Sequence, residues 1–326
     1  MTSGPLVDAQ RERYLDLAGR SDVDGAVELC LSLLERGASP EDVTLGLLQP
    51  AQHHVGERWA LGAWSVAQEH RASAVTDAAL AAISAAVPAR TSGEVVAVAC
   101  PSTEWHGLAA RMVTQLLRWR GVAAEYTGTL ASDAALAELL ADRRPRALAL
   151  SCTMTSSLPA VARAVDMATR RHTGVLGGGR GFGPGGRYAA AVGLVAWEHD
   201  VSGAVRLLAT WDSTGPPGGP PAAPEPVAYR LLLRQRDDVA ARLADRLGVE
   251  DADPDSREIL TDAAEQVTAL ALAAARIGEA AILDEGIGEL VAVLARRGGL
   301  LAAAADRLPA TARAVFRGGV QNPDPG

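Results

Sequence analysis

Along residues 7–87 apolar side chains recur at three- and four-residue spacing, the period that places them on one stripe of successive helices. Ser39-Pro40-Glu41-Asp42 supplies a cap, a proline at the first helical position and two acids in the first turn, so a helix starts there. Ser65 with Gln68 three residues on offers the next start, after an interruption at Gly62. The pattern predicts a bundle of four helices within residues 1–90.

The period changes over residues 91–212. Short apolar runs at Val95–Ala99, Val122–Tyr126, Ala147–Leu150, Thr173–Leu176 and Val192–Ala196 are separated by longer amphipathic stretches. Runs of four to six residues alternating with helices predict right-handed βαβ units and a doubly wound, five-stranded parallel sheet. Such a sheet binds ligands outside the carboxyl ends of its strands. Residues 213–226, STGPPGGPPAAPEP, predict a linker, because proline and glycine at that density suit neither helix nor strand. Residues 227–326 return to helical spacing, with Val239, Leu243 and Leu247 four apart and Asp253-Pro254 opening a second helix toward Ile277. The expected architecture is thus α and α/β multidomain: bundle, sheet domain, linker, C-terminal helical domain.

Composition removes several functions. A net charge of −8 leaves no basic footprint for nucleic acid. All 31 basic residues are arginine, so no lysine Schiff base to retinal or pyridoxal phosphate can form. The third domain has no His, Cys or Met and cannot ligate haem iron through them. Three scattered cysteines make neither a disulfide framework nor a zinc site. With no export signal and no long apolar run, the expected location is the cytoplasm, away from membranes.

The candidate chemistry follows the first predicted strand. Glu104-Trp105-His106-Gly107-Leu108-Ala109 puts a histidine where a ligand would sit, with a carboxylate two residues upstream able to orient the imidazole and raise its basicity. Taken alone, such a histidine is more often a loop residue partnered by water or a carbonyl. Ser151 and Thr153 follow the third strand and Gly177-Gly178-Gly179 the fourth, on the same sheet edge. The glycine run is either a turn or a wall that lets a bulky ligand approach the backbone. It is not a dinucleotide fingerprint, which belongs after the first strand.

These residues resemble the cobalamin-binding domain of methionine synthases, methyltransferase corrinoid proteins and mutases. The pattern Asp/Glu-x-His-x-x-Gly, Ser-x-Leu and Gly-Gly reads here as Glu104-x-His106-x-x-Ala109, Ser151-Cys152-Thr153 and Gly177-Gly178. The resemblance implies a flavodoxin-like domain in which His106 replaces dimethylbenzimidazole as lower cobalt ligand. The displaced base would enter a slot lined by Ser151 and the glycines. Ala109 and Thr153 depart from the pattern.

Upstream, Trp59 is separated by nine residues from Glu69-His70, which resembles the capping bundle of CarH-like light-sensing regulators. There the tryptophan packs on the adenosyl group of adenosylcobalamin, with the Glu-His pair close by. The histidine that follows the tryptophan in those regulators is Ala60 here, leaving His53 and His54 as nearby candidates to take cobalt after photolysis. Those regulators carry a DNA-binding domain ahead of the bundle; none is expected here, so the chain is not expected to be a transcription factor by itself. The third domain resembles the layout of photocobilins, which implies biliverdin as a second chromophore, its propionates held by arginines such as Arg230, Arg234, Arg236 or Arg242. A solvated arginine face and a plain dimerisation bundle are the other readings of this domain. The sequence therefore supports, first, a photoreceptor whose domain packing and homo-oligomeric state respond to light. The second reading is a corrinoid methyl carrier of a methyltransferase system. On neither is the chain a catalyst by itself.

Overall fold

The computed structural model describes residues 5–130, 132–214 and 224–320; most of the proline- and glycine-rich 213–226 segment lies outside them. The chain forms two compact units, Met1–Val98 with His106–Thr127, and Ala99–Trp105 with Gly128–Gly326.

In the first unit the predicted caps form as read. Ser39 accepts the Asp42 amide at 3.0 Å while Asp42 accepts the Ser39 amide, and Ser65 and Gln68 exchange the same pair. Four helical rods result: α1 (Pro5–Gly19), α2 (Val23–Glu35), α3 (Pro40–Val43) running on into α4 (Gln49–Ala60), and α5 (Val66–Ala86). Between α3 and α4 the ladder widens to a π turn over Thr44–Leu48. Pro50 has no N–H to donate, and the Gln49 amide reaches back five residues to the Thr44 carbonyl. Tyr14, Leu48, Val55, Leu80 and Ile83 pack the core, joined by Met112 from α6 (Gly107–Trp119). Strands β1 (Ser92–Cys100) and β2 (Val122–Thr129) flank α6 in sequence.

The sheet has four strands in the order β2-β1-β3-β4, with β3 (Ala147–Ser151) and β4 (Gly174–Gly178) parallel and in register from Ala147 opposite Gly174 to Ser151 opposite Gly178. The order reverses between β1 and β3, so the loops after those strands flank the switch point at which such sheets take ligands. The predicted fifth strand is corrected: Val192–Ala196 forms no strand, and only Trp197 makes a bridge, to Gly177. A tight turn over Ala190–Val192 ends in Gly193 at φ +82°, which breaks the extended backbone a strand needs.

In the second unit α7 (Asp133–Asp142), α8 (Leu158–Thr169) and α9 (Val201–Thr214) accompany β3 and β4, and α10 (Val227–Arg234), α11 (Arg236–Leu247), α12 (Pro254–Ile277), α13 (Ala281–Arg297) and α14 (Gly299–Val320) form the third domain. Its core is Val239, Leu243, Leu247, Leu260, Val267, Leu294 and Leu308. From Gln266 to Ile277 every residue of α12 is buried or half-buried, because this stretch packs on α8 and on the short turn Thr155–Ser157 after β3 as well as on its own bundle. Arg163 of α8 donates to the buried Tyr229 hydroxyl at 3.3 Å, and Arg187 pairs with Glu285.

Candidate cobalamin site

Glu104 is fully buried at the end of the loop after β1. A carboxylate out of water must be hydrogen-bonded, and here its Oε2 accepts the backbone amides of Thr153 and Met154 at 2.7 and 2.8 Å. Its own amide donates to the Pro101 carbonyl at 2.9 Å, and its carbonyl accepts the Thr129 hydroxyl at 3.1 Å. The loop after β1 is thereby tied to the loop after β3.

The loop after β3 is tied in turn to the loop after β4. The Cys152 amide donates to Gly178 and the Cys152 carbonyl accepts the Gly181 amide, both at 3.0 Å. The three glycines have different reasons. A Cβ on Gly177 would run into Leu194 and Phe182, so that glycine serves packing. Gly179 sits at φ +107° with the Cys152 carbonyl where a Cβ would go. Gly178 alone has room, its nearest neighbour being the Glu198 carbonyl at 3.5 Å. Gly179→Ala is expected to destabilise the protein by about 2 kcal/mol or more through strain and collision together. A urea midpoint unchanged from wild type would contradict this placement of the loop.

His106 caps α6 with an exposed side chain, and Gly107 opens the helix where a Cβ would meet the Tyr126 hydroxyl. Ser151 and Thr153 are half-buried. In the first unit Trp59 is half-buried near the end of α4, and Glu69 accepts the Ser73 hydroxyl at 2.8 Å, Ser73 in turn accepting the Gln52 amide at 2.5 Å. His70 is exposed, its Nδ1 bonded to the Val66 carbonyl at 2.8 Å, so Nδ1 carries the proton. His53, His54, His172 and His199 are all exposed. Thr129, Tyr126 and the Thr153 and Met154 amides were not identifiable in advance. Backbone donors carry no residue signature, and a tyrosine or threonine in a strand has many commoner roles.

Burial sets the thiol chemistry. The Cys100 thiol is pushed up to about 12 by burial and then by the Glu104 charge. Cys152 is raised further, by burial first and then by Glu104 and Cys100, against a bond to the Met154 carbonyl. Both stay protonated at neutral pH and cannot act as thiolate ligands or nucleophiles.

A parallel sheet with polar loops tied together at its switch point defines a ligand-carrying α/β domain. The B12 binding domain family matches residues 94–201, and a second B12 binding domain family matches residues 10–84. The chain is a cobalamin-binding protein. Among solved structures, the monomethylamine corrinoid protein of Methanosarcina barkeri is similar at a TM-score of 0.53 and 16% identity, over 62% of this chain and 97% of its own. A cobalamin-binding protein from Desulfitobacterium hafniense (TM-score 0.33, 17% identity) covers 61% of this chain and 97% of its own. The methanol:cobalamin methyltransferase complex of Methanosarcina barkeri (TM-score 0.33, 17% identity) covers 62% and 79%. No curated protein sequence matches the chain. Among the described residues, no helix is long and apolar enough to cross a membrane.

Proposed function

We propose that the chain binds cobalamin base-off, with His106 as lower axial ligand, and carries it as the corrinoid component of a methyl-transfer system. The observation that carries this reading is the buried Glu104 carboxylate, pinned by the Thr153 and Met154 amides two residues before an exposed histidine at the head of a helix. A single imidazole suffices for a metal that brings its own equatorial nitrogens. Cobalamin supplies a reactive cobalt–carbon bond; the protein's residues hold and orient it. In its neutral form the His106 imidazole would offer a lone pair, and Glu104 fixes the loop that presents it. Gly178, whose hydrogen is not demanded by protein packing, leaves space for the displaced nucleotide base beside Ser151. The carrier role is supported by the span of the monomethylamine corrinoid protein, nearly all of whose fold has a counterpart here; a methyltransferase would be the partner.

A second reading, light sensing, is favoured by one feature of the bundle. Trp59 lies on α4 with nine residues between it and Glu69-His70, and the third domain extends beyond both B12 binding matches. On this reading the upper ligand is adenosyl and covers Trp59, the homo-oligomer changes with light, and biliverdin is held without a thioether, since all three cysteines are buried outside the third domain.

The two readings separate on one experiment. The chain loaded with adenosylcobalamin in the dark is sized by gel filtration before and after green light, alongside Trp59→Ala. A carrier keeps its size, and the variant loses affinity equally for adenosyl- and methylcobalamin. A sensor changes size, and the variant loses about tenfold or more for adenosylcobalamin alone.

A further inference from the structure

Trp105 is 84% exposed, far more than any other large apolar residue described as exposed in this chain. An indole offers one of the largest apolar surfaces of any side chain, and leaving it in water forfeits the burial that makes tryptophan worth placing. Its backbone is nevertheless held firmly. The residue before it is buried and fixed through its amide, its carbonyl and its carboxylate. The loop therefore turns Glu104 inward and presents the next two side chains outward, on an anchored platform.

We infer that Trp105 packs against the lower face of the corrin macrocycle, beside the bond from His106 to cobalt. The inference rests on His106 being the lower ligand. If it is, the rest follows from reach. Consecutive Cα atoms are 3.8 Å apart, whereas cobalt sits at the centre of a macrocycle several times that width. A side chain next to the ligating histidine and turned outward thus lies under the ring. The indole would supply a flat apolar surface to a ring whose edge carries amide side chains, and its Nε1–H is a donor that an amide carbonyl could accept. Trp105 is on this account a binding residue for the macrocycle. It contributes affinity that does not depend on the upper ligand, in contrast to what is expected of Trp59 in a sensor.

The test is a titration of the full chain with hydroxocobalamin, followed by absorbance, for wild type, Trp105→Ala and Trp105→Phe, with folding checked by circular dichroism. Trp105→Ala should raise Kd about tenfold, Trp105→Phe should stay within about threefold of wild type, and methyl- and adenosylcobalamin should show the same ratios. In parallel, oxidation of Trp105 by N-bromosuccinimide, mapped by peptide mass spectrometry, should slow several-fold in the loaded protein. Wild-type affinity in Trp105→Ala overturns the inference, as does an equal loss in the alanine and phenylalanine variants. Failure of the wild type itself to bind hydroxocobalamin overturns the cobalamin reading and this inference with it, and is told apart because no variant is needed to see it.

Discussion

His106→Ala is expected to abolish imidazole ligation and to weaken cobalamin binding by at least tenfold to a hundredfold, the scale seen when even the outer partners of metal ligands are removed. The variant should also leave any residual cobalamin base-on. Protein labelled with ¹⁵N-histidine and reduced to cobalt(II) gives the reading directly by electron paramagnetic resonance. A ¹⁵N splitting in wild type identifies a protein imidazole, and dimethylbenzimidazole, unlabelled, gives the ¹⁴N pattern. Should the ¹⁵N splitting survive in His106→Ala, the ligand is another histidine and the site is misplaced. Circular dichroism checks that the fold is kept; the His106 side chain is exposed and makes no cap bond to the α6 amides.

Glu104→Leu is expected to act on both fold and site. It strands the part-buried Thr153 and Met154 amides, at about 1 to 3 kcal/mol for each unpaired group, so a loss of about 2 to 6 kcal/mol is the upper range expected. Glu104→Gln keeps an acceptor oxygen and should lose less. Urea unfolding read at a constant m-value measures the difference. A loss under about 0.5 kcal/mol in Glu104→Leu would mean that the amides find other partners and that the β1 and β3 loops are not joined through this carboxylate. Cobalamin affinity should fall with stability in the leucine variant, since the loop that presents Trp105 and His106 loses its anchor.

What the sequence made legible was local. Ser39, Ser65 and Asp253 start helices because a cap and its partner lie within three residues of each other, and each forms as read. Four of five strand runs were readable from their apolar content. Val192–Ala196 was not, because its failure depends on the turn at Gly193 and on pairing with a distant strand. The histidine and its carboxylate were visible as residue types at a spacing. The amides that hold the carboxylate could not be, and neither could the separate demands on Gly177, from Leu194 and Phe182, and on Gly179, from Cys152. The proline-rich segment suggested a third domain independent of the cobalamin site, whereas α12 packs on Thr155–Ser157, three residues or fewer beyond the amides bound to Glu104. Contacts between segments more than a hundred residues apart leave no periodic trace.

The position of α12 has a thermodynamic consequence. A helix that packs on its own bundle and also on α8 and the Thr155–Ser157 turn belongs to both hydrophobic layers, so their unfolding is expected to be coupled. A ligand bound at the proposed site, if held by the loop after β3, would therefore favour the state in which α12 is packed there. At a hundredfold excess over Kd that linkage is worth about 2.7 kcal/mol, shared between the sheet that holds the ligand and a helical domain that need never touch it.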